Sequence, residues 1–508
     1  MRKKTKWFTF LQSLVVLAAA ILPFVGSQPA FAASQTLNND VFWKDTSGNP
    51  IYSQGGNILK VGSTYYWYGV KYNGAVTYYN NPSAKNDDTS FAAVTCYSST
   101  DLVNWTFRGN VITGATDGST WDADWLGRLG VVYNATTQKY VLVTQYVGPA
   151  GSGVAFATSS TPTGTFAFHH VQSSISNVVN NMSGDQSTFV DDNGKAYLVF
   201  SNTNGRSHLY VSELRASDYL NIEPATNVYN SSSGGREGNA MFKYNNTYYL
   251  CSSDLHGWNA SQTYCVTSNS IQGSYTGEFV MDGTAADFSH VSQTSMFIKV
   301  QGTSGTTILF GGDRWSDFAG NGIGYNQWMP LSFSGTTPKM NSLSQFNIDA
   351  AAGTWSVGSG NNYALNPSYE ADRVSQNALA GWLTWDNVSV DPNSNVSGGA
   401  HSGRWSATQS ATTAYSASRY QNLTNLPNGT YTLKVWVKSS GGQSTAQIFV
   451  KNYGGSEIDA AINSSIGSWT QVTIPNIQVT NGSAQIGVYS VANANNWVRV
   501  DDWSFIKN

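Results

Sequence analysis

Three polar residues stand at matching places in successive stretches of this chain. Asp185 lies four residues before Phe189, Glu237 five before Phe242, and Gln293 four before Phe297. Each precedes an apolar, strand-like run. Cutting a glycosidic bond without a metal needs a carboxyl that protonates the leaving oxygen and a second group that activates or positions a nucleophile. Glu237 suits the first task, because a carboxyl at the mouth of a buried strand is poised to give up a proton. Asp185 suits a supporting one, since a second carboxylate nearby raises the pKa of the donor. Taken singly, Arg236-Glu237 also fits a surface ion pair, and each of the three fits a partner for loop backbone. Their common register favours one shared site.

The elements that must position them repeat. Five times between about residues 38 and 346 an apolar strand leads through a short polar turn to a strand carrying bulky residues. The copies begin near Asn57, Val131, Ser187, the Glu237 stretch, and Ser295. Further strand-like runs follow, such as 92–97 and 207–211. Spacings of about 50 to 75 residues exceed those of a β-helix and suit propeller blades with inserted loops. Helical periodicity is nearly absent. The expected architecture is all-β: a five-bladed propeller over 38–352, a Gly/Ser/Asn-rich linker at 353–362, and an antiparallel β-sandwich over 363–508. In a propeller the strand starts converge on one funnel, which would gather Asp185, Glu237 and Gln293. Asp191 and Asp192 sit in a hairpin turn and read as turn formers.

Residues 1–32 read as a secretory signal: basic Arg2, Lys3, Lys4 and Lys6, a short apolar core, and Ala30-Phe31-Ala32 before the cleavage point. Without those four basic residues, 23 Lys and Arg face 30 Asp and Glu. That balance argues against nucleic acid or anionic membranes as partners; the leader implies a secreted protein, and the expected partner is a polysaccharide or oligosaccharide substrate, with the chain a monomer. Only 11% of residues are charged, whereas 13% are aromatic, which suits surfaces that stack on sugars. Of the three cysteines, Cys251 and Cys265 lie on successive strands; a hairpin disulfide and three buried thiols both fit. No Cys/His spacing suggests zinc, and no cofactor is required.

With these residues in hand a resemblance emerges. Asp45-Thr46-Ser47-Gly48-Asn49-Pro50, Gly55-Gly56-Asn57, Tyr65-Tyr66-Trp67-Tyr68-Gly69 and Ser98-Ser99-Thr100-Asp101 are similar to stretches of glycoside hydrolase family 43. So are Asp191-Asp192-Asn193-Gly194-Lys195, Arg236-Glu237, His256-Gly257-Trp258, Ser292-Gln293 and Gly312-Asp313-Arg314-Trp315. Together they span about residues 41 to 333 and most resemble the family's exo-β-1,3-galactanase branch. The resemblance implies a five-bladed propeller, inversion at the anomeric carbon, Glu237 as general acid and Asp185 as the residue that tunes and orients it. Most of the family carries a general-base Asp in the first blade. The matching stretch here, Ser53-Gln54-Gly55-Gly56, has no carboxylate, and Gln293 matches the branch's water-holding Gln. The branch also carries a second-blade Glu before an Arg. Here Gly127 precedes Arg128, and Asp122 or Asp124 are the carboxylates nearby. Val70 replaces another branch Glu.

Arg128, Trp67, Trp258 and Trp315 are candidate substrate contacts, with Trp328 a further aromatic; core packing is the alternative for each tryptophan. The last domain resembles jelly-roll carbohydrate-binding modules through Asn366-Pro367, Gly381-Trp382 and Val500-Asp501-Asp502-Trp503. Trp436 and Lys451 are its expected binding residues, and Glu370 with Asp501 its candidate structural calcium ligands. The same fold also serves arabinofuranosidases, xylosidases and arabinanases, and a non-catalytic sugar-binding protein is the alternative outside the enzymes.

Overall fold

The computed structural model describes residues 1, 34–83, 86–114, 121, 123–315 and 323–508. Apart from Met1, the expected leader lies outside them, as does Asp122. Among the described residues no helix is long and apolar enough to cross a membrane.

Among the described residues, five four-stranded antiparallel sheets follow one another, each in simple sequence order. Their first strands are Gln54–Val61, Trp125–Asn134, Ser183–Val190, Arg236–Tyr244 and Gln293–Gln301. Each first strand packs against the next, and the fifth returns to the first, so the sheets are the blades of a closed propeller. The second strands are sandwiched between neighbouring blades. That is why Ala196–Asn202 reads as a nearly continuous apolar run and is buried throughout. Asn245 and Asn246 both take positive φ (47° and 61°) in the turn between Arg236–Tyr244 and Thr247–Asp254. Asparagine tolerates that region, which a tight two-residue hairpin demands. A disulfide joins Cys251 to the directly paired Cys265, and Cys96 is buried and free.

The seam between the first and fifth blades is filled by aromatic rings. Trp67 is fully buried, with its ring centroid 5.1 Å from Trp328, 5.3 Å from Trp105 and 5.8 Å from Trp43. Trp67 and Trp328 are therefore core residues, and neither offers a face to substrate. Asn39 staples the seam, donating to the carbonyls of Trp328 and Leu343, both at 2.8 Å.

A three-stranded sheet of Gln35–Asn38, Gln345–Asp349 and Thr354–Val357 follows the last blade. It corrects the sequence reading, which placed Thr354–Val357 in a linker. The C-terminal part is a sandwich of two five-stranded sheets. Gly429–Ser439 shows its logic: Tyr431, Leu433, Val435 and Val437 point into the core while the residues between them face outward.

Candidate active site

Every first strand carries a register shift near its start: between Gln54 and Asn57, Gly127 and Gly130, Ser183 and Gln186, Glu237 and Ala240, and Thr294 and Met296. Such bulges bend a strand and re-aim a side chain. Around the axis they turn Arg128, Asp185, Glu237 and Gln293 toward one another. Gly238 makes the arrangement possible after Glu237. Its φ is +57°, and a Cβ there would lie 2.1 Å from the carbonyl oxygen of Thr294. Its amide donates to Asp185 Oδ2 at 2.8 Å.

The four side chains form one network. Arg128 Nη2 lies 3.0 Å from Asp185 Oδ2 and donates to Gln293 Oε1 at 2.5 Å. Gln293 Nε2 donates to Glu237 Oε2 at 3.2 Å. Arg206, which the sequence reading missed, places Nη1 2.9 Å from Asp185 Oδ1 and 2.8 Å from Glu237 Oε1. Its sequence signal is faint: an Asn204-Gly205-Arg206 turn after the second strand of the third blade.

The electrostatics separate the two carboxyls. Burial, then the charge of Asp185, pushes Glu237 up to about 7. Burial would also raise Asp185, but Arg128, Arg206 and the Gly238 amide outweigh it and hold Asp185 below the ordinary carboxylate range. The site therefore pairs a carboxyl that keeps its proton near neutrality with a carboxylate that stays charged. Because Asp185 and Glu237 both bind one nitrogen of Arg206, they lie closer than the about 6.5–9.5 Å that separates the acid and base of an inverting pair. With both oxygens of Asp185 engaged, the geometry suits tuning rather than activation of water.

Other expected residues fall elsewhere. Arg236 faces away from Glu237, as strand alternation requires, and binds Glu278. Asp124 is exposed, and among the described residues no ion pair joins it to the network. Trp315 is buried beneath Arg128, whose guanidinium lies 5.2 Å over its ring, while half-buried Trp258 packs 4.9 Å from Trp315. Of the tryptophans proposed for substrate, Trp258 alone combines partial exposure with contact to this cluster. Asp313, in the Gly-Asp-Arg-Trp stretch, accepts from the Gly55 amide at 2.9 Å and from Asn326 at 2.6 Å. It fixes the glycine turn of the first blade. Asp191 does more than turn the chain: it binds Lys243 at 3.0 Å and the Tyr248 hydroxyl at 2.7 Å.

In the sandwich, Trp436 and Lys451 lie on opposite outer faces. Trp436 stacks on His401, centroids 3.9 Å apart. Lys451 lines a groove of about 410 Å³ with Trp385, Tyr420, Gln447, Gln485 and Tyr489. On the strand between Gln485 and Tyr489, Gly487 leaves room for two lining rings: a Cβ there would meet Phe449 at 2.6 Å and Tyr420 at 2.8 Å. Asp501 accepts from the amides of His401 and Asp502 at 2.7 and 2.8 Å, and Glu370 from those of Arg404 and Trp405, both at 2.7 Å. Burial, then the charge of Asp502, pushes Asp501 up to about 9. A calcium ion held by these two carboxyls would compete for oxygens that already accept from the amides of the loop 401–405. Among the described residues no group of three or more His, Cys, Asp or Glu side chains is gathered as metal ligands, so such an ion would also need backbone oxygens.

The sequence model of glycosyl hydrolases family 43 matches residues 48–293. This stretch belongs to glycoside hydrolase family 43. That match contains Arg128, Asp185 and Glu237 and ends at Gln293, the first residue of the fifth blade. An exo-β-1,3-galactanase from Phanerochaete chrysosporium, solved with β-1,3-galactotriose, superposes with a TM-score of 0.57 at 22% identity, covering 93% of this chain and 100% of that one. One from Clostridium thermocellum gives the same four values. At this identity the likeness shows the fold of this family 43 glycoside hydrolase. A 1,6-alpha-glucosyltransferase from Sporosarcina globispora is 28% identical over 151 residues, which is 28% of this chain and 11% of that protein.

Proposed function

We propose that this glycoside hydrolase removes galactose units from the ends of β-1,3-linked galactan or arabinogalactan side chains, with inversion. The observation that carries the reading is Glu237, protonated near neutrality beside an ionised Asp185. Glu237 gives its proton to the glycosidic oxygen as the bond to the anomeric carbon breaks. A water held by Gln293 attacks the anomeric carbon from the opposite side and gives up its proton to bulk solvent, since a neutral carboxamide orients the water without acting as a base. The amide keeps one N–H and one lone pair free for this after binding Glu237 and Arg128. Arg128 and Arg206 keep Asp185 charged and the acid oriented, and Trp258 offers an apolar ring for sugar. The substrate class is supported by the solved relatives, both exo-β-1,3-galactanases.

Turnover of β-1,3-galactan, arabinogalactan, arabinan and xylan tests the reading. Release of galactose from β-1,3-galactan, absent in Glu237→Gln, is expected. Turnover of arabinan or xylan alone would move the assignment to another substrate, and binding without turnover on every polymer would remove it.

For the module we propose the Lys451 groove as the polymer-binding face, because its aromatic rings and amide side chains match the apolar faces and hydroxyls of a sugar. Trp385→Ala should weaken retention on insoluble galactan, whereas unchanged retention would exclude this face. Glu370 and Asp501 are the proposed calcium ligands. A chelator should lower Tm in wild type and leave Asp501→Asn unaffected; no change in wild type would refute the site.

A further inference from the structure

One side chain of the C-terminal sandwich reaches into the propeller. Arg373 donates through Nη1 and Nη2 to the two oxygens of Asp254, both at 2.9 Å, and through Nε and Nη2 to the carbonyl of Ala260 at 2.8 and 2.5 Å. Its guanidinium lies 4.9 Å over the ring of Phe288. Asp254 and Ala260 flank the loop 255–259, which carries Trp258. A single planar cation from the other domain thus ties both ends of that loop. A bidentate guanidinium–carboxylate pair fixes orientation as well as distance, which a lysine does not.

The loop lies beside the acid. Asp254 closes the strand in which Ser253 pairs with Glu237. Two residues before Arg373, Ala371 of the sandwich is buried in the same cluster as Ala260, Val291 and Trp315, with Trp258 and Phe288 packed against it. Contacts then run on from Trp258 to Trp315, from Trp315 to Arg128, and from Arg128 to Asp185 and Gln293.

We propose that Arg373 is a positioning residue for hydrolysis: through it the C-terminal module holds the Trp258 loop as a sugar-stacking wall of the propeller's funnel, so the module is part of the catalytic unit. This rests on the reading of Glu237, Asp185 and Gln293 as a glycosidase site.

The test uses the full chain, with β-1,3-galactobiose and p-nitrophenyl β-D-galactopyranoside as substrates. Arg373→Ala is expected to lose about tenfold to a hundredfold in kcat/KM, the cost of displacing a positioning element. The loss should fall mainly on KM and leave the pH profile in place. Arg373→Lys should recover part of it. Trp258→Ala should lose a similar amount, and the double variant no more than Trp258→Ala alone. Amide exchange over 254–261 should quicken in Arg373→Ala. A wild-type KM in Arg373→Ala, losses that multiply in the double variant, or unchanged exchange would each overturn the proposal. Should Arg373→Ala fail to fold, the Arg373→Lys exchange and KM values decide it. If wild type turns over neither substrate, the glycosidase reading falls, while the exchange measurement still judges the clamp.

Discussion

Replacing Asp185 by Asn isolates the electrostatic coupling in the site. Glu237 stands at about 7 against an ordinary 4.5, a preference for the protonated form worth about 3 kcal/mol. Burial is its larger cause and the charge of Asp185 the next. In Asp185→Asn burial persists, the repulsion disappears, and Arg128 and Arg206 are left facing Glu237 alone. Both changes lower its pKa. A like charge at this range is worth about one to two units. At pH 7 that shift cuts the protonated fraction, and so kcat on a substrate with a poor leaving group, by about fivefold to fiftyfold. The assay is the pH profile of kcat between 4 and 9 on β-1,3-galactobiose. The high-pH limb should move down from about 7, with activity at pH 5 largely retained. A limb that stays in place or moves up would refute the reasoning. A uniform loss at every pH would instead mean that Asp185 orients the acid without tuning it.

Three further outcomes follow from the same structure. Glu237 binds more protons in the folded than in the unfolded chain between about 4.5 and 7, so it stabilises at low pH and that contribution fades as pH rises through 7. Glu237→Gln should therefore raise Tm at pH 8 and leave it nearly unchanged at pH 4.5; equal effects at both would contradict the raised pKa. The Cys251–Cys265 bond closes a separation of 14 residues, so a Cys251→Ser/Cys265→Ser variant should lose about 3 kcal/mol in denaturant unfolding of the propeller. A midpoint unchanged from wild type would show that the bond contributes nothing. Gln293→Ala should lower kcat by about a hundredfold or more with the pH limbs close to their wild-type places. Full activity would remove Gln293 from the water site.

The repeat was legible because each blade's first strand must be apolar and must follow a turn, so the offsets of Asp185, Glu237 and Gln293 from Phe189, Phe242 and Phe297 reflected a common register. The bulge at the start of each of these strands is what no local pattern announces. Arg206 was invisible because it belongs to a different strand connection from Asp185 and Glu237, and only folding brings it to them. Trp67 misled for the opposite reason. A tryptophan within an aromatic run reads equally as a sugar platform or a core residue, and burial at the seam between the first and last blades, far apart in sequence, decides it. Arg236 and Glu237 are neighbours in the chain but opposite in the sheet. The sandwich's alternating strands were plain, yet which outer face carries Lys451 and which Trp436 depends on strand order, as does the reach of Arg373 into the propeller.

The central claim is that Glu237 protonates the leaving oxygen. Its most direct test compares Glu237→Gln with wild type on β-1,3-galactobiose and on an aryl galactoside whose leaving group needs no proton. The account predicts a loss in kcat of about 10² to 10⁴ on the disaccharide and a much smaller one on the aryl substrate. Equal losses on both, or disaccharide activity that survives the substitution, would contradict it.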